Sequence, residues 1–177
     1  MIFITLLLSL AVLLPNLVVS AAPSLLHSSS RRGSPAQINT FLYSHNKVRA
    51  AHNAAALTWS KEFAALAETW ADNCEFKRTN GILRDTQYGE HHAAATGEFP
   101  IVDAIGLLTE DEAQYNPSSP TYNHFTQVVW KSTTEVGCAR ATCDKIFDHQ
   151  KGPATYYVCF YNPAGNIIGE ASENVQI

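Results

Sequence analysis

The run Thr155-Tyr156-Tyr157-Val158-Cys159-Phe160-Tyr161 carries apolar or aromatic side chains at odd and even positions alike. Successive side chains of a strand point to opposite faces, so this strand has no face to offer water and must lie between two layers. The segments before it read as helices and its neighbours as strands. The pattern predicts an α+β fold, a three-layer α/β/α sandwich in which helices cover both faces of a small antiparallel sheet.

Ser34-Pro35 opens a first helix, with a capping residue followed by proline at the first helical position. Ile38, Phe41, Leu42, His45 and Val48 follow at helical spacing. A second helix starts at Ser60 and runs to about Cys74, with Phe63, Leu66, Ala67 and Trp70 on one face. Residues 77–97, with three glycines, read as loop, and residues 100–113 as a third helix. Strands are predicted at His124 to Trp130, Val136 to Cys143, and Thr155 to Tyr161.

Four cysteines allow three pairings. Cys138 and Cys143 stand ~16 Å apart along a strand, beyond disulfide reach. If the last two strands form a hairpin with Cys143 near Ala154, Cys138 falls opposite Cys159, about 5 Å away between Cα atoms. The expected bonds are therefore Cys138–Cys159 and Cys74–Cys143.

Such disulfides belong to an oxidising compartment. Residues 1–21 read as a secretory signal, since the uncharged apolar run ends at Pro15, short of the ~20 residues of a membrane span. Residues 22–34 read as a disordered, serine-rich leader with a dibasic pair, Arg31-Arg32, open to cleavage. Residues 35–177 then form one domain, expected to be a secreted monomer. A net charge of -4 with 16% charged residues excludes a nucleic-acid or anionic-membrane surface.

Several segments in order carry a resemblance. Ala56-Leu57-Thr58-Trp59-Ser60, Trp70-Ala71-Asp72-Asn73-Cys74, Tyr88-Gly89-Glu90, His124-Phe125-Thr126-Gln127-Val128-Val129-Trp130 and Tyr157-Val158-Cys159-Phe160-Tyr161-Asn162-Pro163-Ala164-Gly165-Asn166 resemble the signatures of the CAP superfamily. Its members are cysteine-rich secretory proteins, venom antigen 5 and group-one pathogenesis-related proteins, and this chain is most similar to the secreted fungal type. The resemblance implies the same sandwich and disulfides. It also implies a cavity of two histidines and two acidic residues, which in some members holds a divalent metal. Glu90 and His124 match two of those positions, and Asp111 is the second acidic candidate, with Glu110 and Glu112 alternatives if the register slips. The remaining histidine position holds Arg78, which is permanently charged and cannot ligate a metal, but can pair with a carboxylate in bidentate fashion. Zinc or magnesium affinity is accordingly expected to be weaker than in complete sites, with Glu90, Asp111 and His124 as ligands and His91 able to restore a nitrogen. His91 and His92, side by side on a loop, otherwise face solvent.

Tyr115, Tyr122 and Phe125 surround the double-proline loop of residues 116–120. Similar loops in the family have been linked to sterol binding, and an interhelical groove to fatty acids. Tyr115 and Tyr122 are the expected ligand-facing lip, whereas Phe125 is more suited to the core. The expected function is binding of sterols or other small apolar lipids, with no catalytic residue and no required cofactor. The alternatives are an effector or defence protein acting through an extracellular protein partner, and a metal-dependent hydrolase using the cavity residues.

Overall fold

A computed structural model describes residues 33–177. The expected signal, and the expected leader apart from Gly33 and Ser34, lie outside the described residues. Helix α1 (Pro35–Ala51) starts with a reciprocal cap: Gln37 N donates to Ser34 Oγ at 3.2 Å, and Ser34 N donates to Gln37 Oε1 at 2.8 Å. A two-residue strand β1 (Thr58–Trp59) leads into α2 (Lys61–Ala71), which Ser60 caps by accepting from Phe63 N. Then come β2 (Gly89–Thr96), α3 (Ile101–Leu107), α4 (His124–Val128), β3 (Glu135–Cys143), β4 (Ala154–Asn162) and α5 (Ala171–Asn174).

The sheet runs β1-β3-β4-β2, with β1 parallel to β3 and the other pairs antiparallel. As its composition demands, β4 is interior and buried from Ala154 to Tyr161. Tyr157, Cys159 and Tyr161 pack in one core with Phe41 of α1, Ile105 of α3 and Phe125 of α4. Tyr156, Val158 and Phe160 pack in a second with Phe63, Ala67 and Trp70 of α2. Gly137 lets α2 lie directly on β3, since a Cβ there would stand 2.2 Å from Ala64 N. Cys138 and Cys159 are register partners with Cα atoms 4.1 Å apart and are bonded; Cys74–Cys143 is the second disulfide.

Four sequence expectations are corrected. Residues 89–96 form strand β2 rather than loop: the open edge of β4 supplies the ladder that Ala93-Ala94-Ala95 would not favour on propensity. His124 to Val128 is helix rather than strand, because Asn123 and Thr126 cap one another and Asp111 supplies two further acceptors. The third helix ends at Leu107, followed by turns and a 3₁₀ segment at Glu112–Gln114. The sheet is also mixed, through β1, rather than purely antiparallel.

One buried ion organises the α1 side. Arg49 is 0% exposed. Its Nε donates to Ala55 O at 2.7 Å, Nη1 to Val128 O at 2.8 Å and Trp130 O at 2.9 Å, and Nη2 to Thr133 O at 2.9 Å. Burial lowers its pKa to about 10, so it remains charged at neutral pH. Arg49→Met takes the side-chain donor from four carbonyls, of which Trp130 O keeps the Thr133 amide, and is expected to cost about 3 kcal/mol or more. A thermal melt should show a midpoint lower by roughly 10 °C; a loss within a degree or two would show the carbonyls re-paired elsewhere.

Candidate functional site

At one end of the sheet, the start of β2, the N-terminus of α4, the loop carrying Arg78 and the segment after β4 enclose a cavity of about 430 Å³. Arg78, Glu90, Asp111 and His124 all line it, and so does His91. The four expected cavity residues therefore meet, but their bonding differs from that of an open ligand set.

Asp111 is a brace. Its Oδ2 accepts from His124 N at 3.0 Å and its Oδ1 from Phe125 N at 2.9 Å, satisfying the first amides of α4. The His124 ring, half-exposed, brings Nδ1 to 3.4 Å from the same Oδ2.

Glu90 turns onto the α2 side. Its Oε2 accepts from Thr79 N at 2.9 Å and Thr79 Oγ1 at 2.7 Å, with His92 Nε2 at 3.5 Å. Burial acts to raise this carboxyl, yet the His92 imidazole and the two Thr79 donors prevail and hold its pKa at about 2. The expected bidentate Arg78 pair is absent: Nη1 approaches Oε1 only to 3.7 Å, and the Arg78 side chain is 63% exposed. Local donors had already claimed the carboxylate.

The two adjacent histidines do not face solvent, because strand alternation sends them to opposite layers. His92 Nδ1 lies 2.6 Å from the Tyr156 hydroxyl, beneath Phe76. His91 is 3% exposed, and its Nδ1 meets the Tyr161 hydroxyl at 3.0 Å. That hydroxyl also meets His45 Nε2 at 2.8 Å, while His45 Nδ1 meets Phe41 O at 2.8 Å. Burial lowers the His45 pKa to about 4, and burial likewise holds His91 well below the usual imidazole value. Burial also raises the Tyr161 phenol.

Tyr115 and Phe125 are not on the cavity. Phe125 is fully buried, and Tyr115, 6% exposed, packs against it with ring centroids 6.3 Å apart. The lip expected at Tyr115 is thus core, since the 3₁₀ turn before it directs the ring inward. Glu112 faces away, with Oε1 3.5 Å from His52 Nε2. Tyr122 alone of the three aromatics lines the cavity, and Gly169 N donates to its hydroxyl at 2.6 Å.

Gln127, which sequence spacing alone does not single out, also lines the cavity. Its Oε1 accepts from Gly165 N at 2.9 Å and its Nε2 donates to Thr133 Oγ1 at 3.2 Å, joining α4 to the segment after β4. A Cβ on Gly89 would stand 2.1 Å from Gln127 Oε1, and one on Gly165 2.6 Å from Nε2. The Gly89 and Gly165 of the quoted signatures were the available signal.

The set of two histidines and two carboxylates implied by the resemblance does not fit these residues as they are bonded. Arg78 adds a positive charge, Asp111 spends both carboxylate oxygens on the first amides of α4, and Glu90 spends Oε2 on Thr79. Among the described residues, the one group of three whose ligand atoms lie within 4.8 Å of one another is His45 with Cys138 and Cys159, whose sulfurs are committed to a disulfide.

A sandwich with this topology and cavity defines a class of secreted disulfide-bonded domains, and comparison with known proteins gives the family. The profile of "CAP: Cysteine-rich secretory protein family" matches residues 42–161. Relatives include "Secreted protein PRY1" of Candida albicans, 38% identical over 76% of this chain and 31% of its own length. "Fruiting body protein SC7" of Schizophyllum commune is 36% identical over 78% of this chain and 71% of its own. "Pathogenesis-related protein PRMS" of Zea mays is 32% identical over 90% and 94%. Among solved structures, NaASP2 with Zn2+ superposes with TM-score 0.64 at 21% identity, covering 79% of this chain and 86% of that one. The chain belongs to the CAP, or cysteine-rich secretory, protein family, and with its relatives it is a secreted protein. It spans from under a third to under two thirds of the first fungal relatives' lengths. Among the described residues, no helix is long and apolar enough to cross a membrane.

The buried histidine dictates a pH response. With a folded pKa of about 4 against 6.5, His45 binds its proton in the unfolded chain first. Stability is therefore complete above pH 6.5 and is lost progressively as pH falls to 4, by on the order of 3 kcal/mol. Glu90, held at about 2 against 4.5, extends the loss below pH 4.5. Denaturant unfolding from pH 7 to 4 should show this decline, and His45→Asn should make it shallower; an unchanged slope would assign the sensitivity elsewhere.

Proposed function

We propose that the protein is an extracellular carrier of sterols or other small apolar lipids, working without catalysis and without a required metal. The observation that carries this reading is the rim of the cavity. Tyr122 is half-buried at its mouth with its hydroxyl held by Gly169 N, and the neighbouring Ile168 is 87% exposed. A ring fixed at its hydroxyl offers contact area at little entropic cost, and covering an exposed isoleucine contributes about 25 cal/mol per Å² of apolar area. Residues 116–120, with two prolines, form an exposed loop before it.

The bonding pattern also argues against hydrolysis. Thr79 is a buried hydroxyl already shared between Glu90 and Tyr88, so it is poorly available as a nucleophile. Glu90, with its low pKa, is a weak general base.

The deciding experiment is equilibrium binding of radiolabelled sterol and fatty acid to the secreted protein, with and without zinc or magnesium. Saturable, metal-independent binding is expected. Absence of binding would shift the weight to an extracellular protein partner. Zinc-dependent peptide hydrolysis abolished by Glu90→Ala would replace the carrier by a hydrolase. Tyr122→Ala should weaken lipid binding at least tenfold while moving the thermal midpoint by only a few degrees. Phe125→Ala, by contrast, should cost about 3–5 kcal/mol of stability. A Tyr122→Ala protein as destabilised as that would assign Tyr122 to the core.

A further inference from the structure

Strand β2 ends the sheet: β4 lies on one side of it, and on the other no strand of the described residues follows. The phase of its ladder says which residues face that open side. Gly97 N donates to Pro153 O at 2.8 Å, and Thr96 is the register partner of Ala154, so Gly97 and Pro153 form a directly bonded pair. Bonded pairs recur at every second residue of an antiparallel ladder. His91, Ala93 and Ala95 therefore turn their amides and carbonyls to β4, while Glu90, His92, Ala94 and Thr96 turn theirs outward. Burial follows this phase, since His91 and Ala93 are buried, Glu90, His92 and Ala94 are half-buried and Thr96 is exposed.

An outward-facing edge is a template for another strand, and proteins usually block it with lysine, proline or an inward charge. From His91 to Thr96 this strand carries no Lys, Asp, Glu or Pro, and its alanines leave room for a close neighbour. The two ends of the edge carry opposite charges. Beyond Thr96 stands Glu98, its side chain 93% exposed and held only by an exposed contact to Arg140 Nη2 at 3.4 Å. At the start stands Arg78, 63% exposed and 3.7 Å from Glu90 Oε1. Phe76, 51% exposed with its ring centroid 6.5 Å from that of His92, adds an apolar flank on the α2 face.

We propose that the free edge of β2 pairs antiparallel with β2 of a second copy, making a two-fold dimer whose sheet is continuous across the interface, in place of the monomer expected from the sequence. A strand with a cation at one end and an anion at the other is complementary to itself when reversed. With the axis at Ala93, His92 stands opposite Ala94 and Glu90 opposite Thr96, so outward main-chain groups meet outward ones. The same reversal brings Glu98 of each copy toward Arg78 of the other. Arg78 also lines the cavity, so the second copy reaches the cavity rim. The dimer stands whether or not the protein carries lipid.

The test is sedimentation equilibrium of the secreted protein over a concentration series, with amide hydrogen exchange at its dilute and concentrated ends. A monomer–dimer equilibrium with Kd on the order of 10 µM is expected. Raising NaCl from about 0.05 M to about 0.5 M should weaken it at least threefold. On dimerisation the amides of His92, Ala94 and Thr96 should gain protection, while those of His91, Ala93 and Ala95 should not change. Ala94→Pro removes an outward amide and leaves the β4 ladder intact, and should weaken association at least about 100-fold. Arg78→Glu and Glu98→Arg should each cost about tenfold, and together restore the dimer. A monomer at every concentration, a dimer unmoved by Ala94→Pro, or new protection at His91 and Ala93 in place of His92 and Ala94 would overturn the assignment. If Ala94→Pro fails to fold, association indifferent to both charge reversals would overturn it equally. A protein that stays monomeric, yet gains protection at His92 and Ala94 when an unrelated extended peptide is added, would give the edge to a foreign strand and sink the self-pairing.

Discussion

The guanidinium of Arg49 sits in the interior with four backbone carbonyls and, among the described residues, no carboxylate partner. Two of those carbonyls, Val128 O and Trp130 O, belong to the C-terminal end of α4 and the residues just past it. At the other end of α4, Asp111 accepts from the first two amides. A five-residue helix cannot persist alone, because nucleation costs more than so few hydrogen bonds return. Here a negative charge holds its amino end and a positive charge its carbonyl end, the polarity that complements the peptide dipoles. His124 and Gln127 owe their positions at the cavity to that clamp, so the site depends on a residue of α1 that does not line it.

A second polar thread passes through the same core. Phe41 O, His45, Tyr161 and His91 form a continuous line of hydrogen bonds from α1 across β4 to the cavity wall. Each member is buried, so each would be costly if left unpaired. Satisfied as they are, they fix rotamers and proton positions together. The cavity face of His91 is thus decided several residues away, by the inability of one backbone carbonyl to donate. Above pH 6.5 the arrangement is at full strength, since none of its imidazoles needs to charge in the folded state.

Much of this architecture was legible in the sequence where a local rule and a global requirement agreed. The two-faced apolar run of β4 demanded cover on both sides, and Phe63 and Phe41 supply it. A hairpin with Cys143 near Ala154, supposed from the strand pattern, places Cys138 opposite Cys159, and that register is the one observed. The failures fall where distant partners override local preference. Nothing in Ala93-Ala94-Ala95 favours a strand; the free edge of β4 imposes one. Nothing within His124 to Trp130 announces a helix, because its decisive acceptor, Asp111, lies well upstream in the chain. His91 and His92 looked alike as neighbours on a loop, and only their place on β2 sends one to the cavity and the other beneath Phe76.

Arg78 in place of a histidine has a smaller electrostatic effect on Glu90 than its charge alone implies. The guanidinium is mostly in water and 3.7 Å from the nearest carboxylate oxygen, where screening leaves little interaction. Thr79, the next residue, does more, since its amide and hydroxyl both reach Oε2 at hydrogen-bonding distance. Glu90 is thereby turned from a cavity ligand into an anchor that ties the 75–88 loop to β2. The loop position thus carries a cation where the resemblance implies an imidazole, while strand alternation places the His91 ring on the cavity wall. Glu90 and Asp111 therefore serve as braces of the cavity wall, on elements that the Arg49 clamp and the disulfides hold in place.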